Sequence, residues 1–478
     1  MKISTIALVL FTATISSLSF ANCSWNEPND LLINSLDEIN GTLRPLSLEE
    51  LQSDLDCLKN IFQKQYIAEH IYNNENVFLL DQVRNFSTSL ISPINQEKFM
   101  NGIIGIHDNA YDAHVGYSFT TKDQSQIIKR LPHFKLYSTK GKFQKVGNFY
   151  EDLTDASIQI SSCDNFSPYL ALKEDGITEI YSFITQNNTT SPDKAKCITS
   201  DNKFLELPVE EIPLNKLEQE HKQFHFKIIE NNILYVRIPQ FTPGISPDQK
   251  KLVDYLKDEN HVHPIIFDLR QNGGGDDTFA YELSKTLRSN TDRLPSLNFY
   301  DKDSLHSTAS FVNAFFIQWK ILESNNSPNA DTYKELYNEY LSIFKNQVKD
   351  GWTLDYLNIR KQTEFGQSGT RSQKYPPKII LLYDKMCASA CESMMGVFSG
   401  MDNVIKIGTH SAGLLHFGNM GISVLPNSKI AVITGWRAFE YPELVPEGLG
   451  YKPDYYSANN DLLNTAINYL KFNQRGIL

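Results

Sequence analysis

Ile265-Ile-Phe-Asp-Leu-Arg-Gln-Asn-Gly-Gly-Gly275 is the stretch from which the fold is read. Ile265 to Leu269 is a short apolar run with the length of a buried strand. Three consecutive glycines close it, and a helical pattern resumes from about Thr278. A strand, a few small residues and a helix form the repeating unit of an α/β sheet. In such sheets ligands meet the carboxyl ends of the strands. Glycines remove every side chain where backbone must approach a ligand, and their N–H groups suit a developing oxyanion. The bland alternative is a flexible turn. The stretch is no dinucleotide fingerprint, because the G-x-G-x-x-G spacing is missing, and no P-loop, because no Gly-Lys-Ser/Thr follows.

Working outward, the same unit recurs. Ile233–Ile238 reads as a strand, and Asp248–Leu256 as a helix capped by Ser246 with Pro247 at its first position. Lys378–Tyr383 is another strand, followed by a helix through Glu392–Phe398. Val404–Ile407 is the next, and Ile422–Leu425 with Ile430–Ile433 forms a hairpin across Pro426-Asn427-Ser428. Residues 226–478 are therefore expected to form an α/β core, with a helical insertion over about 300–370. Residues 22–125 are expected to be mainly helical. Ser47-Leu-Glu-Glu50 is a capping box ahead of the stripe Leu51, Leu55, Leu58 and Phe62. Between these regions, residues 126–225 carry short runs such as His133–Tyr137, Ser157–Ile160 and Glu179–Phe183, separated by Gly, Asn, Asp and Pro, and predict a β-rich module.

The 478 residues carry 45 basic and 56 acidic side chains, a net charge of −11. No stretch is dense in Lys and Arg, so nucleic acid is not an expected partner. Residues 1–21 read as a signal peptide: Lys2, the apolar Ile6–Phe11, and Ser19-Phe20-Ala21 before the cleavage point. No later run is long and apolar enough to span a bilayer. The expectation is an exported chain, periplasmic or secreted, with no membrane span after processing. Export gives meaning to the six cysteines. Neighbour pairing joins Cys23 to Cys57, Cys163 to Cys197 and Cys387 to Cys391, one of several connectivities. Positions i and i+4 at a tight turn meet the distance a bridge between Cys387 and Cys391 needs; the alternative is two free cysteines packed as small buried hydrophobes behind the serine. No metal is expected, because that pair has no matching second pair of ligands.

Two further places carry candidate chemistry. Ser389 lies at a strand-to-helix turn between Ala388 and Ala390. Small flanks admit a substrate carbonyl, and the helix N-terminus supplies positive potential; an N-cap serine is the alternative. A serine nucleophile needs a base of near-neutral pKa. His114, in Asp112-Ala-His114-Val-Gly116, stands out for its small neighbours, the alternative being a core or surface histidine.

Together these residues resemble the tail-specific, or C-terminal-processing, serine peptidases, which include the catalytic core of tricorn protease. The resemblance rests on Asp268-Leu-Arg270-Gln-Asn272-Gly-Gly-Gly275, Ala388-Ser389-Ala390-Cys391-Glu392, Ile407-Gly408-Thr-His-Ser-Ala-Gly413, Glu447-Gly-Leu-Gly450-Tyr-Lys-Pro453-Asp454 and Asp112-Ala-His114. It implies a crotonase-like core of ββα units, with a PDZ-like module, degenerate or replaced by another β type, over 126–225. It also implies a polypeptide substrate and no cofactor. The bacterial branch has a lysine base where this chain has Leu414, so the resemblance points to the tricorn-like branch. By that resemblance Ser389 is the nucleophile, His114 the base and Glu447 the group that orients it. Backbone N–H groups of Gly273 or Gly274 and of Ala390 would hold the oxyanion.

Other readings compete. One is a catalytically inactive ligand- or peptide-binding protein on the same fold. A second is a hydrolase using Ser411, in a degenerate G-x-S-x-G elbow. A crotonase-type acyl-CoA enzyme is a third, against which export counts. Oligomeric state is left open.

Overall fold

The computed structural model describes residues 44–64, 66, 76–107, 115–119, 135–146, 149–172, 179–187, 192–212, 224–242, 244–258, 263–288, 302–324, 329–347, 353–360, 377–440, 448, 450–457 and 462–474. The expected leader, Cys23, His114 and Glu447 lie outside them.

The described part of the N-terminal region is mostly helix. Strand β1 (Pro45–Leu46) leads into α1 (Leu48–Lys64) and α2 (Asn76–Ser89); β2 (Ile94–Asn95) pairs back onto β1 ahead of α3 (Gln96–His107). Helix α1 begins at the expected capping box. The Glu50 N–H donates to Ser47 Oγ at 3.2 Å, and the Ser47 N–H to a Glu50 carboxylate oxygen at 2.8 Å. Leu51, Leu55, Leu58 and Phe62 are all buried and join Phe99, Phe311, Phe417 and Val432 in one core cluster. The N-terminal helices are thereby packed against segments hundreds of residues away. Asp54, buried on α1, accepts from the N–H groups of Asn427 at 2.9 Å and Ser428 at 2.7 Å. The region's last strand is β3 (Gly116–Phe119).

Next come β4 (Lys135–Thr139), β5 (Phe143–Val146), β6 (Phe149–Asp152), β7 (Gln159–Cys163), β8 (Ser167–Leu172), β9 (Glu179–Asn187), β10 (Lys194–Thr199) and β11 (Phe204–Ile212). They form one antiparallel sheet, in the order β4-β11-β10-β7-β6-β5-β9-β8. An extra β4–β9 pairing closes seven strands into a ring and leaves β8 as an edge. The core of this module is aromatic, with edge-on contacts among Phe143, Tyr150, Tyr181 and Phe183. Cys163 and Cys197 stand directly opposite on β7 and β10 and form a disulfide.

The α/β core begins with β12 (His225–Ile229), β13 (Ile233–Arg237), α4 (Pro247–Lys257), β14 (Ile265–Asp268) and α5 (Thr278–Leu287). Helix α4 starts at Ser246 with a full capping box and Pro247 at its first position. The insertion follows: β15 (Lys302–Thr308), α6 (Ala309–Ser324), α7 (Ala330–Gln347) and β16 (Thr353–Arg360). Its two helices lie within the stretch read from sequence as a helical insertion. Its two strands were not expected, because β15 pairs with partners far along the chain, Arg360 at one end and Arg437 on the other side. Non-local pairing leaves little local signal.

The chain closes with β17 (Ile379–Tyr383), α8 (Ala390–Val397), β18 (Val404–Gly408), β19 (Phe417–Val424), β20 (Ile430–Glu440), β21 (Tyr455–Tyr456) and α9 (Leu462–Gln474). A six-stranded sheet runs β12-β13-β14-β17-β18-β21, parallel except for the edge strand β12. Helices α4, α5 and α8 bury Leu252, Phe279 and Met394 against one face. Helix α9 buries Leu463, Ala466 and Leu470 against the other, over Ile266, Ile380 and Leu382. Both faces covered explains why the strands read as continuous apolar runs. Strands β15, β16, β19 and β20 form a second, antiparallel sheet, onto whose β20 the short β3 pairs from Gly116↔Ile433 to Phe119↔Ile430.

Candidate active site

Strands β14 and β17 are parallel neighbours, paired from Ile265↔Ile379 to Asp268↔Leu382. Their carboxyl ends deliver the triple-glycine loop and the Ser389 turn side by side. The two loops are tied directly. The Ala388 N–H donates to the Asn272 carbonyl at 3.1 Å, and the Gln271 N–H to an Asp384 carboxylate oxygen at 3.0 Å.

The charged residues of the first loop are scaffolding. Asp268 is fully buried and takes two bonds from the Arg270 guanidinium, at 2.9 and 2.7 Å, and one from the Tyr235 hydroxyl at 2.7 Å. Arg237 donates to the carbonyls of Asp268 and Arg270. Burial pushes the Asp268 carboxyl up, but the charges of Arg270 and Arg237 and these bonds outweigh it and hold it well below the usual carboxylate range. Asn272 then shapes the glycines: its Nδ2 donates to the Ile238 carbonyl and its Oδ1 accepts from the Gly274 N–H at 2.8 Å. The Gly274 N–H, a candidate oxyanion donor, is thus already engaged within its own loop. Among the described residues the N–H groups of Gly273 and Ala390 have no such partner, and Gly273 is exposed.

Gly274 is required by its position. At φ +100°, a Cβ there would stand 2.6 Å from the Ala388 carbonyl and 2.8 Å from Ser389 Cβ. The glycine loop therefore touches the serine turn with no room for a side chain.

Ser389 itself is half-buried and has φ 54° and ψ −119°. A non-glycine residue there costs on the order of 1–3 kcal/mol and persists only when its surroundings impose it. Three groups do so. The Ser389 N–H donates to a Glu392 carboxylate oxygen at 3.1 Å. The Ala388 N–H is held by Asn272. Cys387 and Cys391 form a disulfide across the turn, with Cα atoms 5.4 Å apart and both residues fully buried. The expected bridge is present, and it lies behind the serine.

Ser411, weighed from sequence as an alternative nucleophile, is buried. Its hydroxyl donates to Glu392 at 2.5 Å and accepts the Tyr451 N–H at 2.6 Å. That hydroxyl is held in a closed network, which counts against the elbow reading of Thr409-His410-Ser411-Ala-Gly413. Two contributors were not assigned roles from sequence. Glu392 collects four hydrogen bonds; its signals in the sequence are its place in the Ala-Ser-Ala-Cys-Glu segment and its spacing three residues after Ser389, that of a capping box. Gln271, at φ 59°, has its side-chain amide against Leu170 of the edge strand β8. Oriented to satisfy both groups, it donates to the Leu170 carbonyl at 3.0 Å and accepts its N–H at 2.9 Å. The β module is thereby joined to the loop that carries Asn272.

Among the described residues no group of His, Cys, Asp and Glu has the arrangement of a metal site, and no helix is long and apolar enough to cross a membrane.

Residues 232–419 match peptidase family S41. No curated protein matches the chain. Among solved structures, a point mutant of CPAF aligns with 87% of this chain and 94% of its own, at 12% identity and a TM-score of 0.51. Tricorn protease aligns over 90% of this chain and 37% of its own, at 13% identity and a TM-score of 0.41. The photosystem II D1 C-terminal processing protease covers 86% and 93%, at 12% identity and a TM-score of 0.36. The CPAF alignment shows a shared fold, and β14, the glycine loop and the Ser389 turn lie within residues 232–419. The segment 232–419, which carries both loops of the site, is thus similar to peptidase family S41, a family of serine peptidases.

Proposed function

We propose that this chain is an exported serine peptidase of the tricorn-like branch, hydrolysing peptide bonds through Ser389, His114 and Glu447. The observation that carries the reading is the Ser389 turn: a serine in a backbone conformation serine avoids, at a strand-to-helix junction, against a glycine loop too close to accept a Cβ. His114 takes the proton from Ser389 Oγ as that oxygen attacks the carbonyl carbon, then returns it to the leaving amine. Glu447 orients the imidazole and stabilises its charged form. The N–H groups of Gly273 and Ala390 receive the oxyanion, and the Gly274 N–H holds the loop shape through Asn272. Water then releases the acyl group by the same steps in reverse roles.

Leu414 supports this branch over a Ser–Lys dyad, since no lysine occupies that position and its N–H faces Glu392. The bridges Cys163–Cys197 and Cys387–Cys391 favour an oxidising compartment, in keeping with the leader over residues 1–21. The β module over 126–225 occupies the place of a PDZ domain; its described regular elements are all strands, which favours another β type. The deciding experiment compares Ser389→Ala with Ser411→Ala for cleavage of a denatured protein substrate. Loss of hydrolysis in the first alone supports the assignment, and a fully active Ser389→Ala protein ends it.

A further inference from the structure

Glu392 is buried with no exposure, yet nothing cationic is paired with it among the described residues. Four donors converge on its two oxygens instead. One oxygen receives the Ser411 hydroxyl at 2.5 Å and the Gly413 N–H at 2.8 Å. The other receives the Ser389 N–H at 3.1 Å and the Leu414 N–H at 2.7 Å. Burial raises its pKa, and the four bonds act against that rise. Because Ser411 Oγ also accepts the Tyr451 N–H, its own proton points to Glu392. All four partners then donate, and only a group that accepts on both oxygens fits.

The connections extend one step further. The Gly413 carbonyl accepts the Gly448 N–H at 2.8 Å, and Gly448 is the residue after Glu447. Gly450, at φ +62°, packs so closely that a Cβ would stand 2.7 Å from the Glu392 carboxylate and 2.7 Å from the Gly413 nitrogen. One side chain therefore ties the nucleophile's own N–H to the loop 411–414, and that loop to residues 448–451. The sheet beneath does not need this arrangement. Strands β17 and β18 are already paired from Ile379↔Val404 to Tyr383↔Gly408. What Glu392 organises is the loops beyond the strand ends, where the chemistry is placed.

We propose that Glu392 is a positioning residue of the hydrolytic site: it sets the backbone of Ser389 on one side and the segment following Glu447 on the other. This rests on the Ser389 reading above and adds a role for the glutamate of the Ala-Ser-Ala-Cys-Glu segment. A glutamine at 392 keeps the shape but turns an NH₂ toward two donors. The turn then relaxes from φ 54°, and small displacements of reacting groups are costly in rate.

The test uses the full chain and two readouts. One is steady-state cleavage of an internally quenched peptide; the other is the rate at which a fluorophosphonate probe labels Ser389. Glu392→Gln is expected to lower kcat and the labelling rate by about 10²-fold, with KM within about threefold and the unfolding midpoint little changed. Ser411→Ala removes one of the four donors and is expected to lower both rates by about tenfold. A folded Glu392→Gln protein labelled at the wild-type rate overturns the proposal. So does a loss of rate matched by an equal loss of folded protein. Should Glu392→Gln not fold, Ser411→Ala decides: an unchanged labelling rate overturns the proposal. Ser389→Ala is assayed alongside, and activity retained there overturns the nucleophile assignment instead.

Discussion

Two serines stand at the ends of adjacent parallel strands, Ser389 after β17 and Ser411 after β18, and both reach Glu392. Each follows a buried strand and sits among small residues. Their environments differ. Ser389 is half-buried in a strained backbone, and its N–H is what the Glu392 carboxylate holds. Ser411 is buried and is not among the residues with positive φ, and its hydroxyl both donates and accepts within a network. The difference shows what makes a serine reactive in such a sheet. Position at a strand end is not enough; the backbone must carry the restraint so that the oxygen is left for substrate.

The largest expected effect tests that contrast directly. Ser389→Ala is expected to lose on the order of 10⁶ in kcat while keeping its unfolding midpoint, since nucleophile loss in a triad enzyme has that size. Ser411→Ala should lose far less, and equal losses in the two proteins would erase the distinction. His114→Ala should be about as inactive as Ser389→Ala, and the double mutant no worse than either, because triad members act as a unit. An active His114→Ala protein beside an inactive His410→Ala one would move the base to His410.

Gly274→Ala sharpens the comparison from the other loop. The added methyl group meets the Ala388 carbonyl at 2.6 Å in a conformation that alanine disfavours. Displacing the serine turn should cost about 10²–10³ in kcat, more than the accompanying loss of stability explains. A Gly274→Ala protein with wild-type kcat would show that the contact of the two loops is incidental.

The disulfide behind Ser389 should have a smaller effect. Replacing Cys387 and Cys391 together by alanine removes a restraint on the turn but closes only a five-residue loop, whose entropic contribution is modest. Turnover should fall several-fold while the unfolding midpoint moves by only a few degrees. Peptide mapping without reductant gives a direct check, since an unlinked pair in protein made under oxidising conditions removes the basis for this expectation.

The smallest effect concerns the buried carboxylates behind the two turns. Asp268 is held low by its arginines, so its contribution to stability is present above about pH 4 and is lost as pH falls further. Glu392 is pushed up by burial, so the native state keeps its proton above the unfolded range. It therefore weakens stability as pH rises from about 4.3 through the raised value. Denaturant unfolding between pH 3 and 7 should show Asp268→Asn flattening the acid side and Glu392→Gln flattening the opposite slope. Matching slopes in the two mutants would contradict the difference in their surroundings.

Much of this was legible in the chain. The runs Ile265–Leu269 and Lys378–Tyr383, each followed by small residues and a helix, announced a covered parallel sheet because strands buried on both faces are apolar throughout. Ser47 with Glu50, and Ser246 with Pro247, marked helix starts because caps are local chemistry. Ser389 and the cysteines flanking it were visible for the same reason: all lie within one turn of chain.

What only the tertiary structure decided are relations between segments distant in sequence. No local pattern says that β15 and β16 pair across the helical insertion, since the partners are some fifty residues apart. The pairing of Gly274 with Asn272, which leaves Gly273 as the exposed donor, depends on how the loop closes. Ser389 and Ser411 looked like rivals in sequence because each sits among small residues after a strand. Folding separated them through Glu392, whose four donors come from residues 389, 411, 413 and 414 and meet only when the ends of two neighbouring strands are brought together. A buried carboxylate is stable only where donors converge on it, and convergence is a property of three-dimensional packing that spacing along the chain does not encode.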